Sequence, residues 1–181
     1  KRQALNPAQA STDLFINNIQ EDFASFVDTM GDVGASLTRV AYLGGDRMYR
    51  DNYSPGSFSG VWASAYQGMM EDIRLMNILA EENGLTYYIG MGQVFEAYIL
   101  LTLVDYFGDV PYTEALQGSE NLNPAADSGQ SVYNSALALL DAAISNFNQG
   151  GASPQYDMYY GGDSAGWIKA ANSIKKRALL N

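Results

Sequence analysis

The chain has no cysteine and no histidine among its 181 residues. Without cysteine there is no disulfide framework and no thiol nucleophile. Without histidine the commonest general base and metal ligand is missing. Positive charge is scarce as well: 10 Lys and Arg stand against 20 Asp and Glu, a formal charge of -10. Nucleic acid and anionic membrane surfaces both demand a basic patch, so this balance argues against either as a partner. No apolar secretory leader opens the sequence, and no run reads as reaching the roughly twenty apolar residues of a membrane span. Strand-period alternation is absent over any useful length.

What is present is apolar helix. At 47% hydrophobic content, the chain has enough material for one well-buried domain. Its centre is the stretch at 91–114, in which nearly every residue of 94–107 is apolar and none breaks a helix. The polar exceptions (Gln93, Glu96, Thr102, Asp105) point in different directions at helical spacing, so no wet face emerges. Gly108 can take the left-handed position after the helix, and Pro111 forbids continuation. This stretch is expected to be a central helix around which others pack.

The remaining helices follow from spacing and caps. The first is expected to start after Ser11 or Thr12, with Ile16, Ile19, Phe23, Phe26 or Val27, and Met30 as its apolar stripe. Gly31 should interrupt it, leaving a shorter piece with Val33, Leu37 and Val40. A loop without periodicity covers 44–56. A long helix over 57–82 places Phe58, Trp62, Ala65, Tyr66, Met69, Ile73, Met76 and Ala80 on one face. Asn83-Gly84 ends it, so it should form an antiparallel hairpin with the central helix. After a polar connection at 117–129, Asp127 or Ser128 caps a helix that buries Tyr133, Ala136, Leu137, Leu140, Ile144 and Phe147. Gly150-Gly151 stops that helix. Asp163 or Ser164 then caps the last one, with Trp167, Ala171, Ile174 and Ala178 inward and Lys175, Lys176 and Arg177 wet. Two successive helix pairs read as tetratricopeptide-like stacking, an all-α fold in a single region over 1–181. Trp62, Tyr98, Phe107 and Trp167 are expected to anchor the pairs as buried aromatics.

Catalytic patterns are weak. Asp109 and Glu114 flank the Pro111 turn and Asp163 stands at a helix start, but turn and cap chemistry explains all three. The aspartates form no calcium-loop pattern. Gly44-Gly45 and Gly161-Gly162 lack the strand–turn–helix setting of phosphate loops. No cofactor or metal is implied. Tyrosine is more informative, with 13 copies. Tyr66, Tyr98 and Tyr133 fall on core faces, whereas Tyr49, Tyr53, Tyr112, Tyr156, Tyr159 and Tyr160 fall in loops. Rings beside Asp, Asn and Arg suit a sugar, whose C–H face stacks while its hydroxyls take hydrogen bonds. The candidate substrate-binding residues are therefore Asp46, Tyr49, Arg50, Asp51 and Tyr53, set against the simpler possibility that these rings pack under neighbouring segments.

The run Ala97-Tyr-Ile-Leu-Leu-Thr-Leu-Val-Asp-Tyr-Phe-Gly-Asp-Val-Pro-Tyr-Thr-Glu-Ala-Leu116 resembles the signature of the SusD/RagB nutrient-binding lipoproteins. So do Tyr66 and Asp72, Val132-Tyr133 with Leu140-Asp141, and Tyr160-Gly-Gly-Asp163 leading to Trp167-Ile-Lys-Ala-Ala-Asn-Ser-Ile-Lys-Lys-Arg177. The resemblance covers about 57–181 and is nearest the SusD-like branch. It implies a mostly helical, tetratricopeptide-like fold and no catalysis. It also implies a lipid anchor on a cysteine just before Lys1, a place on the outer face of the outer membrane, and delivery of oligosaccharide, or peptide, to a TonB-dependent SusC-like transporter. On that resemblance the sequence is the N-terminal part of a longer protein, and the loop before Ser57 holds part of the ligand site. A protein-binding tetratricopeptide-like scaffold is the alternative, and a helical glycoside hydrolase ranks third.

Overall fold

In the computed structural model the described residues are 7–41 and 53–180. They form α1 (Pro7–Leu37), a 3-10 turn (Pro55–Phe58), α2 (Ser59–Trp62), a π-helical segment (Ala63–Met70), α3 (Glu71–Glu82), α4 (Thr86–Phe107), α5 (Gly129–Gln149) and α6 (Ser164–Ala178). No strand occurs among the described residues, only an isolated antiparallel bridge between Val110 and Asp127.

α4 is the axis of the fold and packs against α1, α3, α5 and α6. Its buried residues include Tyr87, Tyr88, Met91, Val94, Phe95, Ile99, Leu100, Leu101 and Leu103. Each such side chain contributes about 1.5–3 kcal/mol on leaving water, which is why an apolar sequence without a wet face ends up at the centre. The helix is longer than its sequence suggests. It begins at Thr86 and runs 22 residues, because Gly90 and Gly92 sit inside it as close-approach points rather than breaks. By length and composition it could cross a membrane, correcting the expectation that no segment reaches that size, but here it is mostly buried by protein. Gly108 at φ 79° ends it.

Two helix hairpins flank this axis, with α2–α3 folding back on α4 and α5 pairing with α6. Asn83 and Gly84 close α3, Ser128 caps α5 through the Ser131 N–H, and Asp163 caps α6 through the Ala165 N–H at 3.0 Å. These agree with the sequence. Asp127 does something else. It bridges to Val110, and its carboxylate accepts from the N–H groups of Tyr112 and Thr113 and from the Thr113 hydroxyl, fastening the Pro111 turn.

α1 departs most from expectation. It starts at Pro7, not after Ser11 or Thr12, and Thr12 is fully buried. Proline in the first turn lacks only an N–H that would be unpaired there, so it starts a helix as well as a cap does. Gly31 does not interrupt it. One helical glycine costs only about 1 kcal/mol, and Met30 and Val33 are buried on either side of it. Val40 lies beyond the helix and is exposed. Lys175 is less wet than expected, since it pairs with Asp141; Arg177 is exposed as expected, with its guanidinium 4.8 Å from the centre of the Tyr98 ring.

Candidate functional site

Of the five sequence-predicted site residues, Asp46, Tyr49, Arg50 and Asp51 lie outside the described residues. Tyr53 is described, and it stands at the head of a line of half-buried rings. Ser54 caps the 3-10 turn that follows it, exchanging bonds with Ser57. That turn swings Phe58 back to meet Tyr53 with ring centres 5.6 Å apart. Phe58 meets Phe107 edge-on at 5.1 Å, and Phe107 touches Trp62 at 5.1 Å. Trp62 stacks on Tyr66 at 5.4 Å and 12°.

The spacing 58, 62, 66 is helical, but the near-parallel stacking has a local cause. Wider π winding begins at Ala63 and brings residues four apart closer to eclipsed, a distortion that recurs at functional sites. The Tyr66 hydroxyl donates to the Pro111 carbonyl at 2.6 Å, tying the ridge to the turn after α4. Burial, and then the nearby Asp127 charge, push the Tyr66 phenol well above its ordinary range, so it stays a donor. Such a ridge of half-exposed rings can stack on the apolar faces of a sugar.

Trp62, Tyr98 and Phe107 are accordingly only half-buried, which corrects their expected role as buried anchors; Trp167, 2% exposed, fills that role. Trp62 and Phe107 touch each other and both are only partly covered by the described residues. The other loop tyrosines divide. Tyr112 turns inward and donates to Glu96 at 3.2 Å. Tyr159 and Tyr160 lean on Trp167, while Tyr156 is 61% exposed.

The carboxylates weighed for catalysis serve the backbone. Asp109 accepts from the Gly129 N–H at 2.8 Å. Glu114 accepts from Asn121 and from the Ala125 N–H. Among the described residues no three His, Cys, Asp or Glu side chains are placed to hold a metal.

Two polar residues that the sequence did not single out hold the loop before α6. Asp157, 8% exposed, accepts from the Trp167 indole at 2.7 Å, the Tyr87 hydroxyl at 3.3 Å, and the N–H groups of Tyr159, Tyr160 and Gly162. Burial would push its pKa up, but the donors outweigh burial and hold the carboxyl below the usual range. Gln20 of α1, 1% exposed, bonds the same loop at both ends of its amide: its Nε2 donates to the Tyr156 carbonyl at 3.0 Å, and its Oε1 accepts from the Met158 N–H at 2.8 Å. The Tyr-Gly-Gly-Asp pattern flags this loop, but nothing local marks Gln20.

A family model described as starch-binding and associating with the outer membrane matches residues 4–181. The chain belongs to the SusD-like family. Among solved structures, a SusD/RagB family protein from Bacteroides thetaiotaomicron superposes with TM-score 0.76 at 24% identity, over 90% of this chain and 37% of its own. A SusD-like protein from the same species gives TM-score 0.62 at 26% identity, over 72% of this chain and 27% of its own. A chitin-binding SusD homologue from Flavobacterium johnsoniae gives 0.58 at 24%, over 66% and 26%. This SusD-like chain therefore spans between about a quarter and just over a third of the length of these structures. No curated protein matches the sequence.

Proposed function

We propose that this chain is the N-terminal, single α-helical region of a cell-surface glycan-binding lipoprotein. It binds oligosaccharide without cleaving it and delivers it to a TonB-dependent SusC-like transporter in the outer membrane. Membership of a family described as starch-binding carries the reading. The Tyr53 ridge supports it by offering stacking surface, and the sequence just before Tyr53 is rich in Asp and Arg, the residue types that supply acceptors and donors to sugar hydroxyls. The lipid anchor is proposed on a cysteine upstream of Lys1, in the precursor.

The test is calorimetry with a panel of soluble glycans on the full-length protein and on a Tyr49→Ala, Tyr53→Ala double variant. We expect a hydrolysis-free saturable isotherm for at least one glycan and loss of that isotherm in the variant. Because Tyr53 touches only the outer end of the ridge, melting should fall by no more than a few degrees. A glycan that binds both proteins equally would move the site off this loop, and a protein that binds none would favour a scaffold role.

A further inference from the structure

Glu96 has no part in the ridge, and its surroundings are odd for an acid. It is the one charged residue of α4 before Asp105, set in a helix that is otherwise core. Its carboxyl faces a cleft of about 640 Å³ between α3, α5 and the turn after α4, with Met70, Ile78, Leu116 and Leu139 among the walls. A carboxylate can accept about four hydrogen bonds; the Tyr112 hydroxyl supplies one, at 3.2 Å. A half-buried carboxylate with so few partners is costly unless a cation or further donors reach it.

The cleft offers no cation of its own. Arg74, its sole basic wall residue, is held by both oxygens of Glu71 at 2.9 and 2.6 Å. Glu81 adds a second acid to the lining. Asn77 also lines the cleft, but its Oδ1 is turned away from solvent, buried without a partner beside Gly92, one helical turn from Glu96. The walls thus hold acceptors in excess of donors, around a space of the size that small polar ligands occupy. Burial pushes the Glu96 pKa above the usual carboxylate range, with the Tyr112 bond opposing, as expected for a carboxyl lacking its counter-charge.

We propose that this cleft binds a small ligand through a primary ammonium group seated on Glu96, with the body of the ligand against Met70, Ile78 and Leu139. An amino sugar and a lysine-type amine share that chemistry. The site has no residue in common with the Tyr53 ridge, so it stands or falls independently of the glycan site proposed there.

The experiment is an NMR titration of the protein at physiological salt with three probes: glucosamine disaccharide, its fully N-acetylated counterpart, and lysylglycine. We expect saturable shifts at Thr113 and Leu139 with the amino disaccharide and at least tenfold weaker binding of the acetylated one. Lysylglycine binding as well would make the site general for primary amines; its failure to bind would narrow the site to amino sugars. Glu96→Gln should weaken the amine probes at least tenfold. Tyr112→Phe, which removes the competing donor, should leave their affinity equal or higher, a result that unfolding would not give. Equal binding of the acetylated probe, the absence of saturable shifts, or undiminished affinity in Glu96→Gln would overturn the proposal.

Discussion

At the scale of single residues, the interior polar groups carry more consequence than the surface acids. Asp157 gathers donors from α4, α6 and its own loop. Replacing it with Asn turns one acceptor into a donor facing other donors, which should cost about 2–3 kcal/mol, read from chemical denaturation. The pH dependence has a definite sign. A carboxyl held below its unfolded value of about 3.9 contributes stability above that pH and loses it as pH falls through the folded value. Stability should therefore decline from about pH 4 downward, and Asp157→Asn should flatten that decline. Phe107 gives a smaller effect than its size suggests. Losing a fully buried Phe costs about 3–5 kcal/mol; half-buried, Phe107→Ala should cost about 2 kcal/mol, with melting as the measure.

Helices are where sequence and structure can be compared most sharply, and two glycines show why. Gly31 in α1 has nothing within 4 Å of where a Cβ would stand, whereas at Gly90 in α4 that Cβ would lie 3.0–3.2 Å from the Phe147 ring. Gly31→Ala should stabilise by about 0.5–1 kcal/mol through helix propensity. Gly90→Ala gains the same propensity but must displace a buried ring, and overpacking of that kind costs about 1–3 kcal/mol; thermal melts should move in opposite directions. In sequence the two positions look alike. Helix existence, the α4 stop and the caps of α5 and α6 were legible because they depend on nearest neighbours. The start of α1, the passage through Gly31 and the π segment were not, because packing from distant residues decided them. The ring ridge was legible in part for the same reason. Tyr53 was marked by its loop, but the inward turn of Tyr112 depends on Glu96, 16 residues away, and the ridge depends on Phe107 returning to meet Phe58.

For the whole molecule, charge and closure dominate. With 20 acidic against 10 basic side chains, a formal charge of -10, acids stay in excess even if every cation is paired, as Arg74 is with Glu71, Lys175 with Asp141 and Arg177 with Asp105. Self-repulsion should weaken as salt screens it. Raising NaCl from about 10 to 150 mM should lift Tm by about 2–4 °C, the shift that ~1 kcal/mol produces in a chain of this size; a flat response would mean that the acids are too dispersed to matter. Closure rests on Gln20. Its bonds to Tyr156 and Met158 join positions 136 and 138 residues apart, so the first helix is buckled to the loop that launches the last. Under mechanical load the buckle becomes one of the fastenings that must fail before α1 comes free. With handles at Ser11 and Ala178, the force loads α1, which is held by α3, the π segment and α4 as well as, through Gln20, by the 156–159 loop. An optical trap should record an early, short rip as α1 peels away, followed by a larger one, and Gln20→Ala should lower the force of the first rip alone.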